Sequence, residues 1–142
     1  MQEGVTTDRI DLVLPFPPSV NGYWRHVIIP ARGAGTPRAA TLISAEGRKY
    51  AQDVAGTCKA VRVSGLRIDG DLAVSVTLYP PDRRARDVDN YCKALLDALT
   101  KAGVWHDDSQ LSRLVVERMA ADPARPRAEV IIQVRQAQGR LG

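Results

Sequence analysis

A strand, a double proline and a helix follow one another between residues 71 and 103, and this succession constrains the fold most. Residues 71–79 alternate between apolar and small or polar side chains, as in a strand with one face in a core. The prolines at 80–81 end that strand, because proline cannot donate a ladder hydrogen bond. From about 87 to 102 the apolar residues recur every three or four positions, and Gly103 is a natural helix stop. The sequence therefore predicts a sheet covered by at least one helix.

Further elements are predicted on both sides of this unit. The predicted strands are 10–14, 41–43, 111–119 and 128–134, and a second helix runs from an N-cap at Ser44 to about Val63. Residues 30–40 combine glycine, proline and arginine and predict a mobile basic loop, and the ends 1–9 and 136–142 are expected to be flexible. This order predicts an α+β fold. We expect a single two-layer domain over 1–142, with a mixed β-sheet and two main helices packed on one face.

Composition excludes several classes of protein. The 142 residues suit one domain, and no apolar run approaches the roughly 20 residues of a membrane span. Glu3 and Asp8 at the start argue against a signal peptide. Cys58 and Cys92 are too few for a disulfide framework or a cysteine-rich zinc site and are predicted to be buried as small apolar residues. A reduced, cytoplasmic setting without a membrane partner is expected.

The position of the charges is more informative than their total. The chain carries 20 basic and 16 acidic residues, a net charge of +4. Residues 82–108 hold six acidic and five basic side chains, which leaves fifteen basic and ten acidic residues for the rest. The basic total indicates an anionic partner. The local acidic cluster indicates a cation.

Carboxylates gather at the start of the predicted helix. Asp87 and Asp89 flank its first turn, and Lys93 lies four residues after Asp89 on the same face, with Asp97 one turn further along. The structural alternative for each is simple: an aspartate at a helix start is commonly a cap, and Asp89 with Lys93 would be a solvated surface pair. Asp97 alone would be a surface residue. The set as a whole suggests a cation site.

A second acidic pair, Asp107 and Asp108, follows the same helix. The helix spans roughly 24 Å, so Asp108 does not reach Asp87 through a tight turn. It would have to be carried back by the next strand or meet the helix start across the sheet, which the sequence leaves open. If Asp87, Asp89 and Asp108 met, their oxygens would suit Mg²⁺, which activates water and stabilises charge on a phosphodiester. Lys93 would then neutralise the oxyanion or orient the water.

The two histidines, His26 and His106, are too few and too scattered for a zinc site. Surface or structural roles are expected for both.

Two arginine clusters flank these acids and are candidates for holding a phosphate backbone, although charge runs are commonly only solvated surface. Tyr23 and Trp24 follow a turn; they would either stack on unpaired bases or pack in a core or dimer. The predicted DNA-binding residues are Arg83, Arg84 and Arg86 beside the acidic pair and Arg25, Arg32 and Arg38 near the glycine-rich loop.

Four segments resemble the RusA family of Holliday junction resolvases. They are LPFPPSVNGYWRH at 14–26, SAEG at 44–47, PDRRARDVDN at 81–90 and KALLDALTKAGVWHDDSQ at 93–110. The resemblance covers about residues 10–134, and its most specific block runs from 83 to 110.

This resemblance implies a homodimeric, Mg²⁺-dependent endonuclease that binds four-way junction DNA and nicks two strands symmetrically in recombination and repair. Mn²⁺ is expected to substitute for Mg²⁺, and a nucleoid-associated, cytoplasmic location is expected. By position, the metal-binding acids fall on Asp87, Asp89 and Asp108 and the catalytic lysine on Lys93. Asp107 and Asn90 are assigned supporting roles. The loop at 30–40 is longer than the family pattern leads us to expect, which leaves its contacts open.

Two other functions stay open at this point. One is a non-catalytic protein that binds DNA junctions, in which the carboxylates only cap and brace. The other is a Mg²⁺ nuclease that acts on flaps or forks. Each predicts DNA binding that weakens steeply with salt.

Overall fold

A five-stranded sheet and a separate two-stranded ribbon form the β structure of the chain, whose computed structural model describes residues 4–5, 9–33 and 35–135. The strands are β1 (Gly4–Val5), β2 (Arg9–Pro15), β3 (Trp24–Ile29), β4 (Arg38–Ile43), β5 (Leu72–Tyr79), β6 (Leu111–Arg118) and β7 (Arg127–Val134). The α-helices are α1 (Val20–Tyr23), α2 (Ala45–Ala60) and α3 (Cys92–Lys101), and two 3₁₀ helices are η1 (Val88–Tyr91) and η2 (Asp108–Gln110).

The large sheet has the order β1-β2-β7-β5-β6 and is mixed. Its neighbours pair antiparallel except β5 and β6, which are parallel and joined through α3. A parallel pair needs such a crossover, because a hairpin turn joins only antiparallel strands. The α+β prediction with a mixed sheet is confirmed.

The core lies between one face of this sheet and helices α2 and α3. Alternate residues of β2, β5 and β7 point into it, as the period of two requires. The largest fully buried side chains are Trp105, Tyr23, Leu12, Leu14, Leu72, Leu78, Leu95, Leu99 and Ile132. The predicted two-layer packing, with both main helices on one face, follows from this apolar surface.

Helix α2 begins as predicted and ends earlier than predicted. The Ser44 side chain accepts a hydrogen bond from the Gly47 N–H and caps the helix. A Cβ on Gly47 would lie 2.5 Å from the Tyr23 carbonyl oxygen, so only glycine fits this close approach. The helix ends at Ala60 rather than near Val63, because the chain turns at Arg62 with a φ of 64°.

The helix predicted from Asp87 starts instead as a 3₁₀ turn. The Asn90 N–H donates to the Asp87 carbonyl at 3.1 Å, an i→i+3 bond, and α-helical geometry begins only at Cys92. Short 3₁₀ turns commonly precede α-helices. Cys92 is half-buried while Cys58 is fully buried, so the burial prediction holds completely only for Cys58.

The stretch 24–43 differs most from its prediction. β3 was not predicted, and it pairs antiparallel with β4 from Trp24–Ile43 to Ile29–Arg38. The predicted strand at 41–43 is therefore longer, and residues 38–40 of the predicted loop belong to β4. The branched side chains at 27–29 favour a strand, but the preceding Arg and His interrupt the apolar pattern.

The expected flexible ends fall largely outside the described residues, although Gly4–Val5 pairs with β2. Among the helices that the structure describes, none is long and apolar enough to cross a membrane.

Candidate active site

The loop between β5 and η1 is folded around Arg86. Its Nη1 atom lies 2.8 Å from Oδ1 of Asp82 and donates to the Asp82 carbonyl at 3.0 Å. The side chain is only 5% exposed, and its guanidinium lies 5.5 Å from the centroid of the Phe16 ring. The hydrogen bond from Arg86 lowers the pKa of the Asp82 carboxyl to about 2. Arg86 is thus engaged inside the protein, whereas Arg83 and Arg84 are exposed.

The turn η1 presents two carboxylates to solvent. Asp87 occupies its N-cap position without a side-chain capping hydrogen bond, so the simple cap role does not apply. Asp89 is exposed in the first turn. Within the described residues neither carboxylate forms an ion pair. Both therefore remain available to a cation or a ligand from outside the chain.

Lys93 lies in the first turn of α3 and is exposed. It makes no ion pair with Asp89 or with any other acid that the structure describes. Asn90 is half-buried in η1. Asp87, Asp89 and Lys93 thus form a cluster of unpaired charges at the start of α3.

Asp97, one turn further along α3, has a different environment. It accepts a hydrogen bond from the Tyr23 hydroxyl and lies 3.2 Å from Nζ of Lys101. Burial, followed by the contact with Asp97, raises the pKa of Tyr23 far above its usual value. Tyr23 is fully buried, with the Trp24 ring packed edge-on at 4.9 Å, so the core alternative is the correct one for Tyr23. Asp97 anchors this tyrosine and is not part of the unpaired cluster.

The C-terminal end of α3 is held mainly by close backbone packing and by a buried aromatic side chain. Gly103 has a φ of 75°, and a Cβ there would lie 3.1 Å from Cα of Gly65. The fully buried Trp105 donates from Nε1 to Oγ1 of Thr100 at 2.7 Å. This end is therefore closely packed.

Gln110 is a supporting residue that the sequence argument missed. Its Nε2 donates to the carbonyls of Ile68 and Gly70, and its Oε1 accepts from the N–H groups of His106 and Asp107. Asp107 caps η2 and forms a reciprocal capping box with Gln110. The Asp-x-x-Gln spacing is the signal that could have predicted this arrangement.

Asp108 is exposed at the first position of η2, and the structure does not bring it to Asp87 and Asp89 within one chain. η2 leads into the start of β6, whereas η1 lies beside the end of β6, where Nη1 of Arg118 donates to the Arg86 carbonyl. Across the ranges that are described, no three His, Cys, Asp or Glu side chains form a group that could hold a metal ion. Within the described residues, Asp108 is therefore separate from the carboxylates of η1.

The predicted basic residues occupy two surfaces. Arg83 and Arg84 line a shallow cleft of about 330 Å³ together with Arg118 and Met119. The other surface is the β3–β4 ribbon with its loop, which carries three exposed arginines. They are Arg25, Arg32 and Arg38. The ribbon begins beside the middle of α3, because Tyr23 is bonded to Asp97.

The histidines have the structural or surface roles that were expected. His26 Nδ1 lies 3.2 Å from Oγ1 of Thr41 across the ribbon, and His106 Nε2 lies 2.8 Å from Oδ1 of Asp69.

Comparisons with known proteins agree with the resemblance in the sequence. A family model described as endodeoxyribonuclease RusA matches residues 15–133. A crossover junction endodeoxyribonuclease rusA of Enterobacteria phage 82 is 43% identical over 112 residues, which cover 76% of this chain and 81% of the relative. The crossover junction endodeoxyribonuclease RusA of Escherichia coli K12 is 40% identical over 109 residues, with the same coverage. The chain therefore belongs to the RusA family of endodeoxyribonucleases.

Proposed function

We propose that this protein is a Mg²⁺-dependent, homodimeric endonuclease that resolves four-way DNA junctions by paired symmetric nicks in recombination and repair. The observation that carries the proposal is the contrast among the acids of 82–108. Asp82 and Asp97 each form an ion pair with a basic side chain of the same chain. Asp87, Asp89 and Asp108 are exposed and unpaired among the described residues. Membership of the RusA family, and a relative named a crossover junction endodeoxyribonuclease, support the proposed reaction and its junction substrate.

Asp87 and Asp89 would hold the metal ion, with Asp108 as a third carboxylate. Carboxylate and water oxygens are the ligands that Mg²⁺ accepts, and Mn²⁺ accepts similar ones. When bound, the ion would polarise the phosphodiester and lower the pKa of a water molecule. This donor set fits the ion in its chemistry, but the described residues of one chain do not gather it. In the proposed homodimer, a second copy of the chain would supply the missing carboxylate.

Lys93 would provide positive charge beside these acids. Its ammonium group is exposed and unpaired within the described part of the chain, so it is free to contact a phosphate oxygen. A fixed positive charge there would stabilise the negative charge that develops during attack. Asn90 and the Asp107 cap would support the acids of their own turns.

The exposed arginines would hold the DNA. Arg83 and Arg84 lie four and three residues before Asp87, where a phosphate backbone would have to pass. Arg25, Arg32 and Arg38 would contact a second stretch of backbone through the ribbon. Arg86 would instead maintain the loop, since its side chain is only 5% exposed and its guanidinium is bonded to Asp82. Two-fold symmetry would give one site for each of two symmetry-related strands.

The proposal is tested by cleavage of a labelled four-way junction with the wild-type chain and with Asp87→Asn, Asp89→Asn and Asp108→Asn. Each variant should lose more than about 100-fold in cleavage rate, because even outer partners of a metal cost 10–100-fold when removed. Junction binding should persist. Asp53→Asn is the matched control, since Asp53 is an exposed acid paired with Lys49. Wild-type rates in the three variants would refute the site.

Two further arms separate the alternative functions. Removal of Mg²⁺ with a chelator should abolish cleavage, and added Mn²⁺ should restore it. Tight binding that leaves the junction intact in Mg²⁺ would indicate a non-catalytic binding protein. Faster cleavage of flaps or forks than of junctions, compared in one gel with linear duplex, would indicate the other nuclease function.

A further inference from the structure

The β3–β4 ribbon is attached to the rest of the protein at one end. Its first pair, Trp24 opposite Ile43, packs against the core. Its contacts with the other described elements are mainly with α1, which directly precedes it, and with α2, which directly follows it. Ile28 lies four residues beyond Trp24, which is about 13 Å further along a strand. The ribbon therefore projects from the domain.

Ile28 is an exposed apolar side chain on this projecting ribbon. It is 75% exposed, the highest value among the large apolar residues that the structure describes. Its cross-strand partner is Ala39, whose side chain is too small to cover it. The next pair on the same face, His26 and Thr41, is also exposed. Ile28 is thus a single apolar projection on a face of small and polar side chains.

The charge of the ribbon indicates the kind of partner that it meets. Residues 24–43 contain three arginines and no acidic residue. Arg25 and Arg38 lie on the face opposite Ile28, because strand residues alternate between faces. Neither of them forms an ion pair within the described residues. A segment whose charges are all basic is typical of a surface that contacts a nucleic-acid backbone.

The two faces of the ribbon suit DNA that lies on both sides of it. One face offers an apolar side chain, which suits the flat surface of a base, and the other offers positive charge, which suits phosphates. The branch point of a four-way junction provides this arrangement, because its arms surround a central opening. Stacking is interrupted there, so an apolar side chain enters at a lower cost than between the stacked pairs of a continuous duplex.

We propose that the β3–β4 ribbon enters the branch point of the junction DNA and that Ile28 packs against the bases at the end of one arm. Arg25 and Arg38 then neutralise phosphates of the neighbouring arm. This contact makes the ribbon the part of the chain that selects a junction over linear duplex. The inference rests on the proposed function for its DNA substrate, and it concerns binding rather than cleavage.

The fluorescence of 2-aminopurine tests this contact without cleavage, because the signal rises when the base loses its stacking neighbours. Junctions with the probe at the branch point or in the middle of an arm would be saturated with protein in the presence of a chelator. The wild-type chain should raise the signal at the branch point alone, and Ile28→Ser should lose most of that rise. Leu42→Ser is the matched control, since Leu42 is a 44% exposed apolar residue on the opposite face. A wild-type rise in Ile28→Ser, or equal rises at both probe positions, would overturn the contact.

Affinity measurements test the selection of junctions. Ile28→Ser should weaken junction binding about 10-fold, the loss expected when a branched apolar side chain is no longer buried, and leave the affinity for linear duplex unchanged. Arg38→Ala should weaken junction binding and reduce its salt dependence. Circular dichroism checks that the variants fold. Equal losses on junction and duplex would overturn the selection. So would sedimentation of the free protein that shows Ile28→Ser to disrupt contact between two copies while DNA binding stays normal.

Cleavage in Mg²⁺ separates this inference from the proposed function. A wild-type chain that gives the branch-point signal, loses it with Ile28→Ser and never cleaves would refute the nuclease and support the ribbon contact. A wild-type chain that cleaves junctions, together with an Ile28→Ser variant that matches it in signal and affinity, would overturn the ribbon contact and leave the nuclease intact.

Discussion

The two ends of α3 both present exposed carboxylates, but they hold them by different means. At the first end, Asp87 and Asp89 lie on a 3₁₀ turn without a side-chain cap, next to a loop shaped by the Arg86–Asp82 pair. At the second end, Asp108 lies within the capping box of Asp107 and Gln110, three residues after the buried Trp105. The first support depends on an ion pair, and the second mainly on burial and on hydrogen bonds with backbone groups, to which the Asp107 carboxylate contributes.

This difference predicts different sensitivities. Charge pairs at a partly exposed loop weaken with salt and with acid, because screening and protonation act on them directly. Buried aromatic packing and bonds to backbone carbonyls respond to neither. The carboxylates of the proposed site would therefore be held by one support that depends on an ion pair and one that depends on charge much less.

The largest expected effect is the loss of Trp105 from the second end. Trp105→Ala should lower the free energy of unfolding by about 3–5 kcal/mol, because a large buried ring leaves a cavity. Urea unfolding measures this loss. Trp105→Phe keeps most of the ring but loses the N–H bond to Thr100, so it should cost about 1 kcal/mol. Trp24→Ala, at a half-buried ring, is the control and should lower the free energy of unfolding less than Trp105→Ala does. Equal losses would mean that burial of Trp105 does not specially stabilise the second end of α3.

A smaller effect on stability, but a clear one on activity, is expected at the first end. Arg86→Met should reduce cleavage about 10–100-fold, the usual effect of removing a group that orients a metal ligand, while junction affinity persists. Arg83→Ala is the matched control, because this neighbouring arginine is exposed and lacks an ion pair within the described residues. It should leave the unfolding free energy within about 0.5 kcal/mol. It should also weaken binding and reduce its salt dependence.

If Arg86→Met weakens binding as Arg83→Ala does and leaves the cleavage rate of bound junction unchanged, Arg86 is a DNA contact, as the sequence first suggested. That result would mean that the Arg86–Asp82 pair does not hold the carboxylates at the first end of α3.

Local sequence patterns predicted most of the sheet and helices. Apolar residues that alternate in a strand, or recur every three or four positions in a helix, mark the face that is buried. The Ser44 cap and the Gly103 stop were found for the same reason. β3 was missed, since an isolated ribbon is specified by cross-strand pairing that a single segment does not reveal. For the candidate site, the sequence grouped Asp87, Asp89 and Asp108 as metal ligands, which stays a prediction, and it interpreted Asp97 alone as a surface residue without showing that Asp97 anchors a buried tyrosine. Its partner Tyr23 is 74 residues away along the chain.

The direction of β6 was the other missing fact. The sequence left open whether the following strand carries Asp108 back to Asp87. Because β6 is parallel to β5, the end of β6 lies near the start of α3, whereas Asp108 lies before the start of β6, at the opposite end of that strand. No spacing rule contains this information, because it depends on which strand is the neighbour.

The smallest effect is the acid response of the first end. The pKa of Asp82 is lowered from 3.8 to about 2, first by the hydrogen bond from Arg86. A lowered folded-state pKa contributes stability above the unfolded-state value, and the contribution is lost as the pH falls through the folded-state value. Asp82→Asn should therefore be less stable than wild type at about pH 6, and the two unfolding free energies should converge towards about pH 2. Trp105→Phe should show a constant difference from wild type over the same range, because no titrating group is involved. Convergence in both variants, or in neither, would mean that the two ends of α3 do not differ in their dependence on charge.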